Sequence, residues 1–155
     1  MRIRDILKDS AIIVGLKADT KKAVLEEMVS VLLEQGVIAD KQKMLEVLLA
    51  RESLGSTGIG QGIAIPHGKS SVARELSAAC GISKGGVDFD ALDDEKVFVI
   101  FLLVAPEDQA SQHLKALARV SALLKDKYFR KALIGSEKPE DVIRVLDQEE
   151  QARKA

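Results

Sequence analysis

Val97-Phe-Val-Ile-Phe-Leu-Leu-Val-Ala105 decides the architecture of this chain. A helix needs about 20 apolar residues to cross a bilayer, and this run is far too short. It suits a strand covered on both faces. Working outward from it, strand and helix patterns alternate. Upstream, Leu76–Ser83 reads as a second strand, with Gly85-Gly86 as a turn between the two. Ile63-Ala-Ile65 reads as a short strand whose last residue is held extended by Pro66. Ala11–Leu16 reads as another. Asp19 or Thr20 caps a helix through Gln35, with Val24, Leu25, Met28, Val31 and Leu32 at helical spacing and Gly36 as its stop. Asp40 caps a second helix around Met44, Leu45, Val47, Leu48 and Leu49, with Arg51 in its last turn. Downstream, helices are predicted at about 111–125, 128–134 and 139–148, the last opened by Pro139.

This alternation argues an α/β fold, a sheet with helices on both faces. The 155 residues suit one domain. A chain this long buries roughly two thirds of its unfolded surface and needs no staples. The expected domain covers 1–148, and 149–155 is expected to be a charged, frayed tail. Lys and Arg number 23 against 24 Asp and Glu, for a net charge of −1. That balance excludes nucleic-acid binding driven by net charge. Aromatic residues, at 3%, are too few for a base-stacking platform. One Cys and two His, far apart, give no zinc spacing, so no structural zinc site is expected. The N-terminus carries no secretory apolar run, and the expectation is a cytoplasmic chain with no membrane insertion.

Chemistry concentrates in Arg51-Glu-Ser-Leu-Gly-Ser-Thr-Gly-Ile-Gly-Gln-Gly-Ile-Ala-Ile-Pro-His-Gly-Lys-Ser70. Five residues stand between Gly62 and Gly68-Lys69-Ser70, where a P-loop has four. Pro66 would also remove a backbone donor from such a cradle. Ile63 occupies the third glycine position of a dinucleotide fingerprint. His67 is the stronger candidate. Pro66 fixes its approach, and Gly68 is expected to leave the space beyond the ring open. A neutral imidazole, well populated near pH 7, is a nucleophile; a structural histidine in a Gly-rich turn fits the local pattern as well. His113 lies on the inward stripe of its helix with Leu117, Val120 and Leu124. With Ser111 as N-cap it would sit among first-turn donors that favour anions; otherwise it is a core histidine. Arg51 reads equally as a phosphate fork or a helix-end cation. Ser56 and Thr57 read as phosphate donors or, preferably, as turn formers. Lys69 reads as a solvated charge and Cys80 as a small core residue. Glu52 and Asp108 make no recognisable acid–base pair.

The segment from Arg51 to Lys69 resembles the active-site segment of the fructose/mannitol-type IIA domains of the bacterial phosphotransferase system. Gly55-Ser-Thr-Gly-Ile-Gly-Gln-Gly-Ile-Ala-Ile-Pro-His-Gly68 carries most of the likeness, and His113-Leu114-x-x-Leu117 resembles the second histidine motif. Gln61 fills a variable-looking slot and the tail matches nothing. The likeness in element order spans about 3–148 and is strongest to the nitrogen-regulatory branch. It implies a single-domain sandwich of helices around a mixed β-sheet. It implies that His67 accepts a phosphoryl group on its Nε2 side from an HPr-like phosphocarrier, with His113 and Arg51 around the acceptor and no metal or organic cofactor needed. It implies regulated partners such as potassium-uptake systems or sensor kinases or, in a sugar-transport relative, a IIB domain. A non-catalytic interaction module is the reading from another class. Leu54, Ile59 and Ile63 are candidates for an apolar docking face around His67, and read equally as core residues.

Overall fold

A computed structural model describes residues 1–154. Six strands form one mixed sheet: β1 (Leu7–Val14), β2 (Gly58–Gly60), β3 (Ile63–Ala64), β4 (His67–Lys69), β5 (Ser77–Val87) and β6 (Val97–Ala105). The helices are α1 (Lys21–Glu34), α2 (Lys41–Ser53), α3 (Ala110–Leu124), α4 (Lys127–Ile134) and α5 (Pro139–Lys154). The sheet runs β1-β5-β6-β3-β2, and β4 also pairs with β6. β5 lies antiparallel to β6, whereas β1–β5, β3–β6 and β4–β6 are parallel. The decisive apolar run is therefore the central strand. Helices α1 and α2 cover one face, and α3, α4 and α5 the other. From Val99 to Ala105 every side chain of β6 is buried, as both covers demand.

Local chemistry sets the helix ends. The Thr20 hydroxyl accepts from the Ala23 N–H at 3.3 Å, and the Asp40 carboxylate from the Lys43 N–H at 3.0 Å. Gly36, at φ +76°, closes α1. Downstream of Pro106 the chain enters a 3₁₀ turn at Glu107–Gln109 that runs straight into α3. Ser111 is thus inside the helix and is not its N-cap, and no side chain caps this end.

Other expectations are corrected. Gly85-Gly86 is not a turn but part of β5, which stays paired with β6 as far as Val87–Val97 through a register shift. Gly86 adopts φ +85°, and a Cβ there would meet Lys96 at 2.9 Å and the Phe98 ring at 3.0 Å. The glycines make a bulge at which the partner strand comes close. The Gly-rich segment, expected as a loop, contains the β2–β3 hairpin. Its two-residue turn is Gln61-Gly62, at φ 59° and 82°, the positive pair of a type I′ turn. Asp93 accepts from the Gln61 N–H at 3.0 Å and holds the turn in place.

The charged tail is helical through Lys154; Ala155 lies outside the described residues. Val142, Leu146 and Glu150 share a buried stripe on α5. The Glu150 carboxylate accepts from the Ile3 N–H at 3.0 Å and the Arg4 N–H at 3.4 Å, and pairs with Arg119 at 3.3 Å. A tertiary contact to the N-terminus thus extends the last helix, which sequence periodicity alone cannot show.

Candidate functional site

After β3 the chain leaves β6 at Ile65-Pro66 and rejoins it at β4. Pro66 has no N–H to give, but its carbonyl accepts from the Leu103 N–H at 2.9 Å. In β4 the residues alternate. Gly68 faces α2, where a Cβ would meet Val47 at 2.8 Å and Leu48 at 3.4 Å. Its missing side chain admits a helix; it does not open space beyond the ring, as the sequence suggested. His67 and Lys69 face the opposite side, toward α3.

Nδ1 of His67 lies 2.8 Å from the Ile65 carbonyl oxygen. A carbonyl only accepts, so Nδ1 carries the hydrogen and the Nε2 lone pair is left over. Nε2 makes no hydrogen bond among the described residues and is not sealed from solvent. The His113 ring lies 5.7 Å away, centroid to centroid, tilted by 43°. His113 is 6% exposed, and its Nε2 is buried without a partner. An orphan of this kind costs about 1–3 kcal/mol.

His67 shares a cleft of about 190 Å³ with Arg51, Ser56, Thr57, Ile59, Ile65, Leu117 and Ser121. Arg51, in the last turn of α2, donates from one guanidinium nitrogen to the Gly55 carbonyl at 2.8 Å. The structure therefore gathers Arg51, Ser56, Thr57 and His67 around one opening, with His113 beside His67. The two hydroxyls are engaged elsewhere. Ser56 donates to the Phe89 carbonyl at 2.9 Å, and Thr57 donates to Glu52. They shape the loop. Leu54 and Ile59 are 85% and 50% exposed, as a docking face requires, but Ile63 is 1% exposed and belongs to the core. Its place in β3, against Val99 of the central strand, explains this. Leu114, 66% exposed and adjacent to His113, joins the exposed apolar set in its stead.

Sequence reasoning weighed Glu52 only as an acid–base partner of Asp108 and missed its buried place behind the loop. Met44, Leu48 and Glu52 recur every four residues on the buried stripe of α2. A carboxylate on an apolar stripe is the signal that could have found it. Burial pushes the Cys80 thiol up to about 12, which leaves it unreactive near neutral pH. Among the described residues no group of three or more His, Cys, Asp and Glu converges as a metal site would. No described helix is long and apolar enough to cross a membrane.

Burial first, then the charges of His67 and Lys69, hold His113 below its ordinary value of 6.5. Above that value the folded and unfolded rings are both neutral and the shift contributes nothing. Below it, the unfolded chain takes up a proton that the folded chain resists. Stability therefore falls as pH drops through the range below 6.5. Urea midpoints measured from neutral to mildly acidic pH should decline, and less steeply in His113→Gln. Equal slopes would show that His113 does not carry the effect.

Known proteins resemble this arrangement over nearly the whole chain. The family model described as "Phosphoenolpyruvate-dependent sugar phosphotransferase system, EIIA 2" matches residues 5–149. A nitrogen regulatory protein of Bradyrhizobium diazoefficiens is 37% identical over 146 residues, covering 94% of this chain and 95% of that protein. The fructose-specific EIIABC component of Bacillus subtilis is 38% identical over 148 residues, covering 96% of this chain, which spans 23% of that protein. The crystal structure of nitrogen regulatory protein IIA-Ntr from Neisseria meningitidis superposes with a TM-score of 0.86 at 35% identity, covering 93% of this chain and 98% of that one. The shared segment includes the hairpin, the strand that bears His67 and the helix that bears His113, and the chain belongs to the EIIA type 2 family of the phosphoenolpyruvate-dependent sugar phosphotransferase system.

Proposed function

We propose that this chain accepts a phosphoryl group on Nε2 of His67 from the phosphohistidine of an HPr-like carrier, and that its phosphorylation state controls partner proteins. One observation carries the reading: the Ile65 carbonyl holds Nδ1–H at 2.8 Å, which leaves the Nε2 lone pair unbonded at an accessible cleft. The transfer balances without a base. The donor's P–N bond breaks as the P–Nε2 bond forms, and the donor ring recovers its lone pair. His67 keeps the hydrogen on Nδ1, and the Ile65 carbonyl offsets the positive charge that develops on the ring. Little covalent work falls to the protein; it must align the two rings and stabilise the oxygens in flight. Arg51 supplies donors for those oxygens, and the His113 ring, 5.7 Å from that of His67 between centroids, stands beside the acceptor. A neutral His113 there does not hold the phosphoryl group as a full cation would, which suits a reversible relay.

The exposed Leu54, Ile59 and Leu114 provide an apolar rim for a visiting carrier. The similarity to nitrogen regulatory proteins supports a regulatory output in the cytoplasm, with potassium-uptake systems and sensor kinases as the class of target. The comparable identity to a fructose-specific component favours a second reading, in which the group passes on to a IIB domain. The test is intact mass after incubation with phosphoenolpyruvate, the first relay enzyme and an HPr-type carrier. The chain should gain one phosphoryl group that acid removes. Subsequent loss of that group to a added fructose-type IIB domain marks the transport reading. A chain left unmodified by several carriers is an interaction module.

A further inference from the structure

The histidine ring is not held by its own strand alone. A line of hydrogen bonds runs from α2 to its Nδ1. The Glu52 carboxylate accepts from the Thr57 N–H, 3.2 Å from each oxygen, and from the Thr57 hydroxyl. The Thr57 carbonyl accepts from the Ile65 N–H at 3.1 Å. The Ile65 carbonyl accepts from His67 Nδ1. We propose that Glu52 is a positioning residue for phosphoryl transfer, setting the tautomer and orientation of the His67 ring through Thr57 and Ile65. The proposal rests on His67 being the acceptor.

Two features make this line necessary. The Ile65–Pro66 peptide has no N–H, so between the end of β3 and His67 the chain has one amide left to donate, that of Ile65, and it bonds to the Thr57 carbonyl. Thr57 in turn follows Gly55 and Ser56. Gly55 adopts φ +150° with nothing within 4 Å of a Cβ there, so the loop's first residue adds no side-chain packing. Glu52 supplies what is missing. Its carboxylate is buried and fully matched, with Lys21 Nζ at 3.1 Å on the remaining side. Lys21 also lies 5.0 Å from the centre of the Phe89 ring, and the Phe89 carbonyl accepts from Ser56. A charge this deep is costly unless every lone pair finds a donor, and here the donors belong to the loop that aims the ring. Glu52 touches neither His67 nor the cleft, so its influence on transfer must pass through Thr57 and Ile65.

The test reads the ring directly. Long-range proton–nitrogen spectra of uniformly ¹⁵N-labelled protein report which imidazole nitrogen of His67 is protonated. In the wild type that nitrogen is Nδ1. In Glu52→Ala the ring should become a mixture of tautomers, and phosphoryl uptake should slow by about 100-fold, the usual result of a misplacement near 1 Å. The carrier concentration for half-maximal rate should change little. Glu52→Gln, whose amide oxygen still accepts from the Thr57 N–H, should restore most of both signals. Should Glu52→Ala fail to fold, Lys21→Met/Glu52→Leu removes the pair without leaving a buried charge, and the same change of tautomer is expected. A folded variant lacking the carboxylate that keeps the wild-type ring spectrum and rate overturns the proposal. The spectra are taken on unphosphorylated protein. A wild-type chain that takes up no phosphate therefore overturns the acceptor reading, not the link from Glu52 to the ring.

Discussion

A His67→Ala variant should gain no acid-labile phosphoryl group under conditions that modify the wild type completely. No other side chain can take over. His113 is buried at Nε2 and cannot meet a donor ring in line, and Cys80 lies in the core with a raised thiol value. The hydroxyls of Ser56 and Thr57 donate to a backbone carbonyl and to Glu52. Any phosphate they took would also survive acid. His113→Ala and Arg51→Ala should still be modified, each about 10²–10³-fold more slowly, as when one donor to a developing anion is removed. Intact mass at timed intervals, before and after brief acid treatment, separates these outcomes. Undiminished, acid-labile uptake by His67→Ala would falsify the assignment.

Leu103→Ala should cost about 2–5 kcal/mol of unfolding free energy, the range for truncating a fully buried Leu. Leu103 sits in the central strand, is fully buried, and is the register partner of both Ala78 and His67. Its N–H to the Pro66 carbonyl survives the substitution, so the loss is one of packing. Domains of this size are stable by only about 5–15 kcal/mol, so the change removes a large share. Urea unfolding should show a lower midpoint with an unchanged slope. Ile59→Ala, at the half-exposed hairpin, should stay within about 0.5 kcal/mol as a surface change. A Leu103→Ala cost as small as that would mean that β6 does not run through the core.

Some features were legible because one local rule decided them. The unbroken apolar run suited a covered strand, and Thr20, Asp40 and Gly36 mark helix ends through their own hydrogen bonds and backbone geometry. His67 stood out because proline and glycine flank it. Other features depended on partners far along the chain. Gly68 is small because Val47 and Leu48 press on it, and Gly86 because Lys96 and Phe98 do. Glycine looks the same in a turn, a bulge and a packed strand; only the neighbour distinguishes them. Glu150 fell in a tail expected to be frayed, yet it is buried and bonded to the backbone amides of Ile3 and Arg4, some 146 positions away.

From the order of residues alone come the alternation of strands and helices, their caps, and the Pro-His-Gly junction that marks the candidate site, because each rests on contacts within a few positions. The closing of the site belongs to the tertiary structure. His113 reaches His67 from 46 positions away. Such a pairing arises only when the sheet packs α3 against the face of β4 that His67 occupies, and no local pattern encodes that distance.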